Sequence, residues 1–166
     1  MPTDNTVTKY GQPTTTGPKP ISRYQGALNR VIRVLLRTPL LARGIGTKLL
    51  TIEIVGRKSG KTYRIPVAYT PHENALIVGT RVRPWQRNLR PDEPVTIRLR
   101  GAKRLADVTV HTGEQDVMRL YDIVARDNHV NAANNGIGFG PDGTPNRADL
   151  YQTWRSGGVV LELRLH

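Results

Sequence analysis

Between Val55 and Tyr69 the chain reads VGRKSGKTYRIPVAY, and its core places Arg57, Lys58, Ser59 and Lys61 between and beside Gly56 and Gly60. Cations, a hydroxyl and glycines in such a short run could hold a phosphate. A nucleotide-binding phosphate loop, however, needs four residues between its first glycine and the Gly-Lys-Ser/Thr, so that backbone N–H groups curl around the anion, and it must open a helix. Here Arg57, Lys58 and Ser59 alone separate the two glycines. The next residues are strand-like, because Tyr63, Ile65, Val67 and Tyr69 alternate with Thr62, Arg64, Pro66 and Ala68. The stretch is therefore a glycine-bounded turn between two strands, able to bind an anion through side chains.

Other chemistry is sparse. His72, His111, His129 and His166 have no metal-ligand spacing, so no metal site is assigned. No Ser/His/Asp arrangement or pair of carboxylates suited to acid/base work stands out, and no catalytic residue is named. There is no cysteine, which excludes disulfides and thiolate sites and fits a reducing cytoplasm. The first twenty residues lack the apolar segment of a secretory signal.

The formal charge is +12, concentrated in the first part of the chain. Residues 1–64 hold 12 Lys/Arg against Asp4 and Glu53, a net +10, while residues 65–166 hold 13 against 11, a net +2. A local positive field favours an anionic partner: a phosphorylated cofactor, a lipid headgroup or nucleic acid. Nucleic acid is set aside because aromatics do not interleave with the basic strands.

The elements that must position the turn can be read from periodicity. Residues 1–21 are polar and rich in Thr, Pro and Gly, a flexible tail on composition. Residues 22–166 are expected to form a single domain. Ser22 with Gln25 fits a capping box, and Leu28, Val31, Ile32, Leu35 and Leu36 recur at helical spacing with Arg30, Arg33 and Arg37 on another face. This predicts a basic amphipathic helix over 22–37, ending before Pro39. It would pack on a sheet or lie on an anionic membrane.

Strands are expected over Leu50–Val55, Thr62–Tyr69, Ala75–Gly79, Val95–Arg100, Lys103–His111 and Val159–Leu165. Pro66 points to an edge position or a bulge. Pro71 to Asn74 reads as a turn, and Pro84 to Leu89 as a helical turn. Thr112 and Gln115 form a second capping box opening a helix with Val117, Leu120, Tyr121 and Val124 at core spacing. Residues 128–147, rich in Asn, Gly and Pro, read as a functional loop or local disorder. Six short strands, packed helices and no βαβ alternation give a mainly β fold with α, an antiparallel sheet closed into a barrel.

Three features together resemble a known family: RVLLRTPL leading into the first strand, GRKSGKTYRIPVAY, and RPWQRNLRP after the third strand. The chain looks like the deazaflavin-dependent nitroreductase group of flavin/deazaflavin oxidoreductases, which have a split β-barrel fold. The match runs from about Leu28 to Val110 and resumes weakly at Tyr151 to Trp154 and the last strand. Tyr63 stands where many relatives carry a basic residue.

The resemblance implies binding of coenzyme F-420, an 8-hydroxy-5-deazaflavin with an anionic tail of phosphodiester and glutamates, in preference to FMN. Arg57, Lys58, Ser59, Gly60 and Arg64 would hold the tail, and Pro66, Gly79, Thr80, Trp85 and Asn88 would flank the ring or tail. Arg81, Tyr151 and Trp154 would line the substrate pocket. The activity implied is hydride transfer from the reduced deazaflavin to an electron-poor small molecule, such as a quinone, enone or nitro compound. In such an enzyme the cofactor carries the reactive chemistry, which agrees with the sparse catalytic groups. The alternative is a noncatalytic lipid- or cofactor-binding protein peripherally bound to anionic membranes. Either protein would be cytoplasmic, and a split barrel leaves a sheet face that a homodimer could cover.

Overall fold

The computed structural model describes residues 6–20 and 49–166. The helix expected over 22–37 lies outside the described residues. The fold is mainly β with α. Seven strands, β1 (Leu49–Val55), β2 (Thr62–Ala68), β3 (Thr70–His72), β4 (Ala75–Arg81), β5 (Val95–Leu99), β6 (Ala102–His111) and β7 (Gly158–Leu165), form one sheet in the order β2-β1-β5-β6-β7-β4-β3. Three α-helices are described: α1 (Glu114–Asp127), α2 (His129–Asn134) and α3 (Arg147–Arg155). Among the described residues no helix is long and apolar enough to cross a membrane. The contacts divide the chain into two compact units.

Of the described residues, the first unit comprises 49–78, 83–109 and 161–166. Its core is built on β1, whose Leu50, Ile52 and Ile54 point to one face because strand side chains alternate. Ile52 is paired with Ile65 of β2 on one side and with Ile97 of β5 on the other, both antiparallel. Tyr69, Val78, Ala106, Leu161 and Leu163 complete the buried cluster. β2 ends the strand order, which accommodates Pro66 and its missing N–H opposite Thr51. The β5–β6 connection is Arg100-Gly101, both at positive φ (49° and 82°), the requirement of a tight two-residue hairpin turn.

The seventh strand is β3, where the sequence suggested only a turn. Its three residues are too few to show alternation, and they are strand because Thr70 and His72 pair with Ile77 and Ala75. As the other end of the strand order, β3 tolerates Pro71.

Of the described residues, the second unit comprises 6–20, 79–82 and 110–160. α1 buries Val117, Met118, Leu120, Tyr121, Val124 and Ala125. It has no Thr112 cap. Gly113 is the N-cap residue, no side chain caps the helix, and Gln115 donates instead to Tyr10 and Glu114. Residues 128–147 hold more structure than their composition suggests, since asparagine amides replace hydrophobic burial as the ordering force. Asn128 caps α2 through the Asn131 N–H at 2.9 Å, and Asn146 caps α3 through the Asp149 N–H at 3.0 Å.

Residues 6–20, expected as part of a flexible tail, instead make many polar contacts within this unit. The fully buried Asp149 carboxylate accepts from the backbone of Thr14 (2.8 Å), Thr15 (3.3 Å) and Gly138 (3.0 Å), and from the Thr14 hydroxyl. Composition measures apolar area and misses a segment ordered by one carboxylate. Nearby, Glu114 accepts from Tyr10 at 2.5 Å and from Lys9 at 2.9 Å.

The Lys9 hydrogen bond first, and the Tyr10 hydroxyl second, hold the Glu114 carboxyl below its ordinary value of 4.5. A carboxyl depressed in the folded state contributes stability above its unfolded value and loses it as pH falls through the folded one. Amide protection at Thr8 to Gly11, the exchange rate relative to the intrinsic rate at each pH, is expected to fall on acidification below about pH 4.5. In Glu114→Gln that pH step should disappear, and an unaltered step would assign it to another carboxylate.

Candidate functional site

The basic turn closes on itself through its own backbone. Gly56 donates to the Lys61 carbonyl at 2.8 Å, Gly60 donates to the Gly56 carbonyl at 2.9 Å, and the Lys61 N–H reaches Ser59 Oγ at 3.3 Å. A Cβ at Gly56 would lie 2.6 Å from Ser59 Oγ and 2.9 Å from the Tyr63 ring, so both side chains would have to shift to admit it. Gly60, at φ +65°, occupies the left-handed region. The Arg57 N–H is also committed, to Asn88 Oδ1 at 3.0 Å. A phosphate loop offers these N–H groups to its ligand, whereas this turn uses four of them internally, so an anion here meets side chains.

Asn88 ends the 3-10 turn Pro84–Asn88 that precedes β5. While its Oδ1 holds Arg57, its Nδ2 donates to the Trp85 carbonyl at 3.2 Å, and Arg57 Nη2 reaches the Leu89 carbonyl at 3.1 Å. These three bonds join the basic turn to the tryptophan turn. Between them lies a groove of about 740 Å³, lined by Gly56, Arg57, Lys58, Ser59 and Tyr63 on one side and Pro84, Trp85, Arg87 and Asn88 on the other. Arg57, Lys58 and Arg87 are exposed, and among the described residues none of them has an ion-pair partner. Trp85 also packs against the hydrophobic core, so one residue both supports the sheet and walls the groove.

Of the residues predicted from sequence, Arg57, Lys58, Ser59, Trp85 and Asn88 are thus brought together. Gly60, Arg64 and Pro66 are not in the lining. Arg64 sits directly opposite Glu53 in the β1–β2 register and pairs with it at 3.4 Å, with Lys103 at 3.8 Å on the same carboxylate. Four lining residues, Gly56, Tyr63, Pro84 and Arg87, were not foreseen, two of them with polar side chains. Arg87 shares a face with Pro84 because a 3-10 helix repeats every three residues, a spacing visible in PWQR. Tyr63 follows from strand parity, and its hydroxyl lies 3.3 Å from Ser59 Oγ.

The remaining predicted residues belong to the second unit. Gly79 does admit a flat ring, and that ring is Tyr121, since a Cβ at 79 would lie 2.9 Å from Tyr121 Cε1. The buried Tyr121 hydroxyl donates to the Thr80 carbonyl at 2.7 Å. Burial pushes this phenol well above its ordinary range, offset only in part by the Arg81 charge. Arg81 Nη2 donates to the Lys19 carbonyl at 2.6 Å. Tyr151 and Trp154 are neighbours with ring centroids 5.6 Å apart, Tyr10 lies 5.3 Å from Tyr151, and the indole N–H donates to the Thr112 carbonyl at 3.0 Å. Among the described residues no cluster of His, Asp or Glu could hold a metal.

No protein-family model and no curated protein matches the sequence. Among solved structures, the chain is similar to one described as a candidate 5-nitroimidazole antibiotic resistance protein from Bacteroides thetaiotaomicron, with TM-score 0.48 and 11% identity over 73% of this chain and 75% of that one. It is also similar to one described as a domain-swapped dimer, with TM-score 0.49 and 13% identity over 85% and 99%. Likenesses at this level assign neither ligand nor chemistry.

Gly79→Ala should destabilise the protein by about 1–3 kcal/mol, the usual cost of forcing a methyl against a packed ring. Tyr121→Phe should cost about 1–2 kcal/mol, because the Thr80 carbonyl loses its donor. Urea unfolding checks both, and a neutral Gly79→Ala would show that the Tyr121 ring yields.

Proposed function

We propose that the chain is a deazaflavin-dependent oxidoreductase that passes a hydride from reduced coenzyme F-420 to an electron-poor organic molecule, such as a quinone, enone or nitro compound. The observation that carries this reading is the groove, where three cations without carboxylate partners among the described residues face an indole across a turn fixed by Asn88. The donor set fits the cofactor. Charge-assisted hydrogen bonds from Arg57, Lys58 and Arg87, with Ser59 and Tyr63 hydroxyls beside them, suit phosphate and carboxylate oxygens, and the groove lining includes no carboxylate to repel them. Trp85 and Pro84 supply an apolar surface of the kind a planar ring packs against.

When bound, the deazaflavin supplies the hydride. The residues of this chain bind, orient and exclude water. Arg57, doubly held through its N–H and its Nη2, is preorganised, so little of its side-chain entropy remains to be lost on binding. Asn88 acts by fixing the turn, because both ends of its amide are engaged by protein. The proton that must follow the hydride is left to solvent.

Because Arg57 also tethers the turn, Lys58 and Arg87 are the cleaner positions to test. Charged hydrogen bonds contribute about 1.5–3 kcal/mol each, so Lys58→Ala with Arg87→Ala should weaken deazaflavin binding by roughly a hundredfold with melting temperature unchanged. Titration followed by cofactor fluorescence measures this, with FMN in parallel. Tight binding of FMN and none of the deazaflavin would overturn the cofactor, and unchanged affinity in the folded double variant would remove the groove from the site.

A further inference from the structure

The tip of the β1–β2 hairpin carries more than the groove uses. Residues 55–63 (VGRKSGKTY) hold Arg57, Lys58 and Lys61 and no carboxylate. All three cations are exposed, and among the described residues none has an ion-pair partner. Two apolar side chains stand in the open beside them, Val55 at 60% exposure and Tyr63 at 43%. They flank the tip on opposite faces, because Tyr63 pairs with Ile54, the neighbour of Val55, and strand side chains alternate. Water ordinarily serves the N–H groups of a hairpin tip. Here those of Gly56, Arg57, Gly60 and Lys61 are taken by the protein itself. Moving the tip into a medium poor in water therefore costs less than it would for an open loop, whose backbone groups would lose their partners there. The Asn88 clamp also leaves little backbone freedom to be lost on docking.

We infer that this tip docks on an anionic membrane surface, with Val55 and Tyr63 entering the headgroup layer and Arg57, Lys58 and Lys61 pairing with lipid phosphates. The cations draw the tip to the surface, each supplying about fivefold in affinity. The apolar pair then distinguishes a bilayer from a soluble polyanion, since nucleic acid would satisfy the cations and leave Val55 in water. Docking does not depend on the deazaflavin. Arg57 and Lys58 serve both the groove and the surface, whereas Val55 and Lys61 lie outside the groove lining and report on docking alone.

Flotation of the full chain with phosphatidylcholine vesicles, with and without phosphatidylglycerol, tests this. Binding is expected to the anionic vesicles alone and should weaken as salt is raised. Lys61→Gln should lower the affinity about fivefold, while Arg155→Gln, which removes an exposed cation of the second unit, should leave it unchanged. Val55→Ser should lower it about threefold or more, and Val55→Phe should raise it by a similar factor, a gain that misfolding cannot mimic. No binding to anionic vesicles, equal binding to neutral ones, equal losses in Lys61→Gln and Arg155→Gln, or an affinity indifferent to both Val55 variants would each overturn the docking site.

Discussion

Asn88 joins two segments that lie 31 residues apart in sequence, and the groove exists because of that joint. Without it, GRKSG would be a charged hairpin tip and PWQRN a separate helical turn. The amide is suited to the task because it accepts at Oδ1 and donates at Nδ2 simultaneously. Aspartate would keep the bond to the Arg57 N–H but could not donate to the Trp85 carbonyl, and its charge would lie among the cations of the groove. Aliphatic residues could make neither bond. The local backbone agrees with this arrangement: the turn's internal hydrogen bonds use the N–H groups of Gly56, Gly60 and Lys61 and leave the Arg57 N–H to be taken by Asn88.

The charges of the sheet unit divide into two kinds. Arg64 and Lys103 converge on Glu53, whose side chain is only 10% exposed, so one of their two charges is offset within the fold. Arg57, Lys58 and Arg87 have no such partner among the described residues. Net charge does not distinguish these groups, and a sequence that counts all of them as basic overstates the field available to a ligand. Register does distinguish them, because Glu53 and Arg64 face one another directly across β1 and β2, where opposite charges stabilise the pair. The family resemblance placed Arg64 in the expected site, and strand parity sets it opposite Glu53, outside the groove lining.

What was legible in the sequence was what periodicity governs. β1, β2, β5, β6 and β7 and the helix α1 follow from alternation or 3.6-residue spacing and β4 from an unbroken apolar run, and Pro66 correctly marked an edge. What failed was set by pairing or by polar groups whose partners lie far along the chain. β3 is strand only because β4 is beside it. Residues 6–20 bond partners more than a hundred positions away, Lys9 and Tyr10 to Glu114 and the Thr14 and Thr15 N–H groups to Asp149. Gly79 was legible as a place of close approach, but not the identity of the approaching ring, which is the protein's own Tyr121. The asparagines of 128–147 look like loop formers by composition, and as caps they are helix formers.

The mode of anion recognition available to the groove is set by where its N–H groups go. A loop that presents backbone N–H groups has fixed donor positions and selects a phosphate of one geometry. Here Gly56, Arg57, Gly60 and Lys61 spend their N–H groups inside the protein, and the donors left for a ligand are guanidinium, ammonium and hydroxyl groups on flexible stems. Such donors adapt to phosphate and carboxylate alike, and exposed charges are screened by salt within about 10 Å at 0.1 M ionic strength. A groove of this design suits a ligand carrying several anionic groups of mixed kind along a chain, since each cation can find whichever oxygen is near. Orientation must then come from the rigid side of the groove, where Trp85 is held by the core beneath it and its carbonyl by Asn88. Lys58 and Arg87 are the exposed cations of the groove and Trp85 its packed wall, and Asn88 ties the Trp85 carbonyl to the Arg57 N–H between them.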